Sequence, residues 1–151
     1  MKKFICLSLA VIAVLAVFAG CTGKKNEEPF DPETAFAKLL SDVKYDAELK
    51  DEAEYAEFVF GDAVKDGMVM MYDAGDMSAD AVIYFKVNDP AYTNDVLKAV
   101  NEYLSARKLE ADRYNPEESN KIEKAVIWSD DTHVIVCVSS DWETARKILF
   151  Y

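Results

Sequence analysis

The sequence is poor in the residues from which many catalytic and metal sites are built. It has one histidine, His133, and three cysteines in 151 residues. Any mechanism that pairs a nucleophile with histidine must therefore use that single imidazole. Positive charge is also scarce, because 17 Lys and Arg stand against 28 Asp and Glu, a net charge of -11. Such acidity repels phosphate backbones, so we expect no nucleic-acid partner.

The three cysteines leave no pair for a disulfide in the folded part of the chain. Cys6 and Cys21 lie in the N-terminal segment, and Cys137 lies in the apolar run VIVCV. A lone thiol cannot close an internal bridge, so the chain suits export without one. The apolar surroundings of Cys137 predict a buried structural thiol and not a reactive one.

One long apolar run is present, and it lies at the N-terminus. Lys2 and Lys3 precede an uncharged run of seventeen residues, Phe4–Gly20, which as a helix would span about 25 Å. That length is marginal for a permanent membrane span of about 20 residues. The run ends in the small residues Ala19 and Gly20, which a signal peptidase requires. The segment therefore predicts a removable signal peptide, residues 1–20.

The sequence Phe18-Ala19-Gly20-Cys21 resembles the lipobox of bacterial lipoproteins, with Phe18 where leucine is commonest. The resemblance implies that Phe18, Ala19 and Gly20 are recognised by the peptidase and that a lipid is attached to the Cys21 sulfur. It also implies a protein anchored to the cell membrane by this lipid and facing outside the cytoplasm. The alternative is a plain signal anchor in which Cys21 is incidental.

Cleavage before Cys21 would leave 131 residues with a net charge of -13, because the removed piece carries Lys2 and Lys3 and no acid. Residues 21–30 are polar and lack apolar periodicity, which predicts a flexible, lipid-anchored tether. Residues 31–151 have the length of a single domain.

Helical and extended patterns alternate along this domain. Asp31-Pro32 predicts a capped helix over 32–43, and a second helix over 51–60 should end at Gly61. Between them, residues 43–50 alternate apolar and polar side chains, as in a short strand or an extended link.

Two hairpins are expected further along, with strands at 67–72 and 79–87, and at 125–129 and 132–138. A long helix should follow the first hairpin to about residue 112, and Ser140 with Glu143 forms a capping box for a last helix. We therefore predict an α+β fold: a four-stranded, mainly antiparallel sheet from two β-hairpins, each followed by a helix, with N-terminal helices packed on one face.

The candidate catalytic and metal-binding residues do not form a recognisable motif. His133 and Cys137 would lie about 13 Å apart on one strand, too far to bind one metal ion. The acidic hairpin loops lack the order of a calcium-binding loop. We therefore expect no metal and no cofactor. The carboxylates considered are Asp73, Asp76, Asp80, Asp130 and Asp131.

Aromatic residues offer a different kind of candidate, a binding surface. Core packing should account for most of them, and any that remain exposed would mark a partner or ligand site. They are Tyr55, Phe58, Phe60, Tyr103, Tyr114, Trp128 and Trp142.

Three segments, DAVIYFKVNDP, RYNPEE and HVIVCVSSDWETA, resemble the bacterial lipoprotein domain of unknown function DUF4358, over about Phe36 to Leu149. The resemblance implies an exported, typically lipid-anchored domain without an assigned activity or catalytic residues.

The expected function is a non-enzymatic binding or accessory module at the membrane, whose partner is an unknown protein or small ligand. The alternative is a small cell-envelope hydrolase that uses a carboxylate pair. A transporter's solute receptor is a third hypothesis, which would need two lobes and a longer chain.

Overall fold

The computed structural model describes residues 29–76 and 78–151. The predicted signal peptide and lipobox, with Phe18, Ala19, Gly20 and Cys21, lie outside the described residues. Within the part that is described, none of the helices has the length and hydropathy required to cross a bilayer.

The strands are β1 (Lys50–Asp51), β2 (Met68–Asp73), β3 (Ala81–Lys86), β4 (Val126–Ser129) and β5 (His133–Val138). They form one antiparallel sheet in the order β1-β2-β3-β5-β4. The α+β class and both hairpins are confirmed. The prediction of four strands was wrong, because Lys50 pairs with Asp73 and adds a two-residue strand beside β2.

The helices are α1 (Pro32–Asp42), α2 (Ala53–Val64), α3 (Thr93–Tyr114), α4 (Pro116–Glu123) and α5 (Trp142–Phe150), with a 3₁₀ turn at Pro90–Tyr92. Asp31 caps α1 as predicted, since its carboxylate accepts from the Thr34 N–H at 2.9 Å. Helix α3 ends at Tyr114, with Asn115 as its C-cap, two residues beyond the expected end near residue 112. Pro116 then begins α4, a helix that the sequence analysis did not predict.

Two predicted helix boundaries were wrong. Helix α2 continues through Gly61 to Val64, and Lys65 ends it with a positive φ of 55° and an N–H that donates to the Gly61 carbonyl at 3.1 Å. Helix α5 begins after Asp141 and not at a Ser140 capping box. The Ser140 hydroxyl instead donates to an Asp46 carboxylate oxygen at 3.1 Å.

Helices cover both faces of the sheet, because the central strands are apolar on both sides. In β3, Ile83 and Phe85 pack with α2, α3 and α4, whereas Val82 and Tyr84 pack with α1 and α5. A strand buried on both faces needs a layer of helices on each. The prediction that the N-terminal helices share one face was therefore wrong, since α1 and α2 lie on opposite faces.

Two glycines provide a matched test of the α2 boundary. A Cβ at Gly67 would collide with the backbone carbonyl oxygens of Lys86 and Val64, so we expect Gly67→Ala to lower the free energy of unfolding by about 1 to 3 kcal/mol. At Gly61 the nearest atom to an added Cβ would be the Glu57 Cγ, 3.9 Å away. Gly61→Ala should therefore raise the free energy of unfolding by up to about 1 kcal/mol, as expected inside a helix.

Urea denaturation of both variants measures these differences. A Gly61→Ala variant as unstable as Gly67→Ala would contradict a helix that continues past residue 61.

Candidate functional site

Six ionised side chains meet where the β2–β3 loop contacts helices α3 and α4. Two are basic and four are acidic, and most are shielded from solvent. We call this group the ion cluster, and its members are Asp46, Asp73, Asp80, Arg107, Glu118 and Lys121.

Arg107 organises the half of the ion cluster nearest to α3. Its guanidinium pairs with Asp73, whose side chain is only 9% exposed. It also donates to the Ser78 carbonyl at 2.9 Å and to the Tyr103 hydroxyl at 2.8 Å. Asp73 in turn accepts from the Gly75 N–H at 2.6 Å. Arg107 therefore fastens both ends of the loop to α3.

Lys121 organises the other half from helix α4. Its ammonium lies 2.7 Å from Asp46, 3.1 Å from Glu118 and 3.3 Å from Asp80, and its side chain is 8% exposed. Burial alone would lower the pKa of Lys121, but its bonds to Asp46 and Glu118 outweigh this effect and raise the pKa. The same bond from Lys121 holds the pKa of Asp46 below its usual value. Lys121 is thus kept charged inside the protein.

The carboxylates of the ion cluster also bind backbone amides. Asp80 accepts from the N–H groups of Asp46 at 2.7 Å and Ala47 at 3.2 Å. Glu118 accepts from the Ala79 N–H at 2.6 Å. The cluster therefore joins three separate stretches: the segment before β1, the β2–β3 loop and α4.

A cleft of about 570 Å³ opens beside the ion cluster, between the β2–β3 loop and helices α2, α3 and α4. Three tyrosines and five carboxylates contribute to its wall, against a single cation, Arg107. Tyr55 and Tyr114 are 47% and 81% exposed. The residues with polar or aromatic groups at the cleft are Tyr55, Tyr103, Tyr114, Glu52, Asp73, Asp76, Ser78, Arg107, Glu110, Asn115 and Glu118.

The candidate acids of the first hairpin are distributed between these two features. Asp73 and Asp80 belong to the ion cluster, and Asp76 lines the cleft. Asp130 instead shapes the second hairpin turn, where it accepts from the N–H groups of Thr132 at 2.8 Å and His133 at 2.7 Å.

The aromatic candidates divide into four groups. Tyr55, Tyr103 and Tyr114 line the cleft, and Phe60 is fully buried in the core. Phe58 is 86% exposed and is not part of the cleft wall. Trp128 and Trp142 are half-buried on β4 and at the start of α5, outside the cleft.

His133 and Cys137 take separate structural roles on β5. The His133 Nδ1 lies 3.1 Å from an Asp130 oxygen, and its side chain is 17% exposed. Cys137 is fully buried 3.6 Å from the Tyr45 hydroxyl, and burial raises the pKa of its thiol to about 12. The structural thiol is thus confirmed. Among the described residues, no three His, Cys, Asp or Glu side chains converge as metal ligands would.

Four members of the ion cluster were not predicted from the sequence: Asp46, Arg107, Glu118 and Lys121. One signal was available, because the motif RYNPEE places Pro116 at a first helical position with Glu117 and Glu118 in the first turn, a pattern typical of a helix start. That pattern predicts α4 but not the partner of Glu118.

A family model described as "Domain of unknown function (DUF4358)" matches residues 49–139, which are 91 of the 151 residues. The resemblance seen in the sequence is confirmed over this range, which is shorter than the expected Phe36 to Leu149. The range contains all of the ion cluster except Asp46. No curated protein and no solved structure matches the chain.

Replacing Lys121 tests whether the ion cluster holds this region together. Lys121→Met would leave the fully buried Asp80 without its cation, so we expect a loss of about 3 to 5 kcal/mol in the free energy of unfolding. The matched control is Lys108→Met, since Lys108 also contacts two carboxylates but lies at the surface, and its loss should be much smaller.

Chemical denaturation followed by circular dichroism measures both variants. Equal losses in the two variants would contradict a special role for Lys121.

Proposed function

The chain belongs to the DUF4358 family, and we propose that it is a lipoprotein held at the outer face of the cytoplasmic membrane, where its domain acts as a non-enzymatic binding or accessory module. The observation that carries the binding role is the cleft of about 570 Å³ beside the ion cluster. It combines exposed tyrosines with a wall of carboxylates.

Support for the membrane anchor comes from the N-terminal sequence. Lys2 and Lys3, the apolar run Phe4–Gly20 and the lipobox-like residues up to Cys21 have the order of a lipoprotein signal. Two or more acyl chains on the new N-terminus would give durable attachment. Residues 22–28 then connect the lipid to the described domain.

The chemistry of the cleft favours a ligand that carries positive charge. Five carboxylates and one guanidinium line it, so its potential is negative. Tyrosine faces attract cations by about 0.5 to 1 kcal/mol each at exposed positions. A lysine-bearing peptide or an amino sugar has the matching chemistry, whereas an anionic ligand would be repelled.

The bonding of the buried carboxylates favours binding over turnover. Asp73 is occupied by Arg107 and the Gly75 N–H, and Glu118 by Lys121 and the Ala79 N–H. A general acid needs a carboxyl group free to carry and deliver a proton. These two side chains hold the wall of the cleft in place instead.

A second candidate function is the small cell-envelope hydrolase. It is favoured by the other three carboxylates of the cleft, Glu52, Asp76 and Glu110, which are not bound to the ion cluster and share one concave surface. Two of them could act as the acid and base of a hydrolytic pair. Turnover of a cell-wall or peptide substrate that is lost in Glu52→Gln or Glu110→Gln would select this alternative.

Fatty-acid labelling tests the anchor directly. We expect the chain to incorporate an alkyne-tagged fatty acid and to fractionate with membranes, and Cys21→Ser to abolish the label, because the thiol is the acceptor. Cys6→Ser is the matched control and should keep it. Mass spectrometry that finds an intact, unmodified leader would contradict the anchor.

Calorimetric titration tests the cleft with two matched probes, a short lysine-containing peptide and the same peptide with its lysines acetylated. We expect only the charged peptide to bind the detergent-solubilised mature protein. Tyr55→Ala and Tyr114→Ala should each weaken binding by about two- to fivefold.

Phe58→Ala provides the control, because Phe58 is an exposed aromatic outside the cleft. Equal binding of both peptides, or equal losses in all three variants, would contradict a cationic ligand in this cleft.

A further inference from the structure

A second concave surface lies beside strand β4 and helix α5, away from the cleft. It has a volume of about 540 Å³ and combines aromatic with basic side chains. We call it the basic groove, and it is lined by Lys124, Ala125, Val126, Ile127, Trp142, Arg146, Phe150 and Tyr151.

The basic groove exposes large aromatic side chains to solvent. Phe150 is 51% and Tyr151 94% exposed, and Trp142 is half-buried beside them. The Lys124 ammonium lies 5.7 Å from the centroid of the Trp142 ring. Aromatic rings next to lysine and arginine are the combination that settles at the headgroup level of a bilayer.

The charge of the basic groove is opposite to that of the protein. Lys124 and Arg146 are its charged lining residues, and none of the residues that line it, all within the described part of the chain, is acidic. The chain as a whole carries -11. Lys147 adds an exposed positive charge on α5, while Glu143 next to Trp142 and Glu123 next to Lys124 are exposed acids at its margin. A negatively charged lipid surface is therefore complementary to this groove and not to the acidic cleft.

The path of the chain brings the anchor close to the same surface. The Phe30 ring packs on Trp128 of β4, with ring centroids 4.3 Å apart. Cys21 lies nine positions before Phe30, and a chain of that length reaches at most about 30 Å. A lipid on Cys21 would hold the bilayer within that distance of β4, the strand that supplies Val126 and Ile127 to the groove.

We propose that the basic groove docks the domain onto the anionic phospholipid surface beside its anchor, an inference that rests on the proposed lipid at Cys21. Trp142, Phe150 and Tyr151 enter the headgroup region, and Lys124 and Arg146 meet the lipid phosphates. The cleft, built by helices on the other face of the sheet, then remains accessible to ligands.

The two tryptophans of the chain serve as reporters, because Trp142 lines the groove and Trp128 lies on β4, the strand that supplies Val126 and Ile127 to it. The full-length product, purified in detergent, is reconstituted into vesicles of phosphatidylcholine with or without phosphatidylglycerol. Part of the lipid carries bromine near the headgroup. We expect tryptophan fluorescence to be quenched in the anionic vesicles, less so in the neutral ones, and less at high salt.

The deciding variant is Lys124→Glu/Arg146→Glu. Each lost basic side chain should lower the ratio of docked to undocked protein about fivefold, so quenching should fall to the level seen in neutral vesicles. Lys98→Glu/Arg113→Glu makes the same change of charge at exposed positions of α3, outside the cleft wall, and should leave quenching unchanged. Circular dichroism checks that both variants fold.

Mass spectrometry of the same sample distinguishes a failure of the lipid anchor from a failure of the docking alone. A chain without lipid on Cys21 overturns the anchor and the docking together. A lipidated chain whose tryptophans are not quenched, or are quenched equally in both variants, overturns the docking alone. Dimers found by sedimentation in that case would assign the groove to a second copy of the chain.

Discussion

One buried ammonium, that of Lys121, is shared among Asp46, Asp80 and Glu118, and the arrangement of this end of the domain depends on it. Removing charges from water is costly, so such a group is weak support for stability in itself. Its effect is positional. Each acceptor of the ammonium is fixed in one place, and Asp80 and Glu118 hold backbone amides with their second contacts. Charged contacts therefore fix the positions of the residues in the cleft wall, whereas apolar packing stabilises the sheet behind it.

That apolar packing explains why the acidic cleft and the basic groove can carry opposite charge. Strands β3 and β5 bury both of their faces, so one layer of helices carries the acidic cleft and the other carries α5 and the basic groove. If the two binding sites lay side by side, the acidic cleft would repel an anionic membrane and the basic groove would repel a cationic ligand. Their separation across the sheet lets a small, strongly acidic domain present both.

The parts of the fold that could be predicted are those that depend on patterns of neighbouring residues. Apolar runs that flank acidic loops predicted both hairpins, and Asp31-Pro32 predicted the start of α1. The faces on which helices pack were not predictable in this way, because an apolar stripe on a helix does not determine which face of the sheet it covers. Only the burial of β3 on both sides requires two layers. The alternation over residues 43–50 fitted a short strand or an extended link, and strand β1 includes only Lys50 of that stretch, with Asp51.

The ion cluster escaped prediction for a related reason. Arg107 and Asp73 are 34 positions apart and Lys121 and Asp80 are 41 apart, so no local spacing connects them. In the sequence Lys121 is one more charged residue on a helix, and such residues are usually solvated. Only the tertiary fold turns it into a buried contact.

Hydrogen exchange at the amides of Asp46, Ala47 and Ala79 is the sharpest test of the positional role of Lys121, because Lys121 contacts the carboxylates that accept from all three. We expect these amides to exchange slowly in the native protein and to lose their protection together in Lys121→Met, while amides within α2 stay protected and exchange faster only by the factor that the lower free energy of unfolding gives. Three amides that exchange as freely as exposed loop residues, or that respond independently of one another, would contradict it.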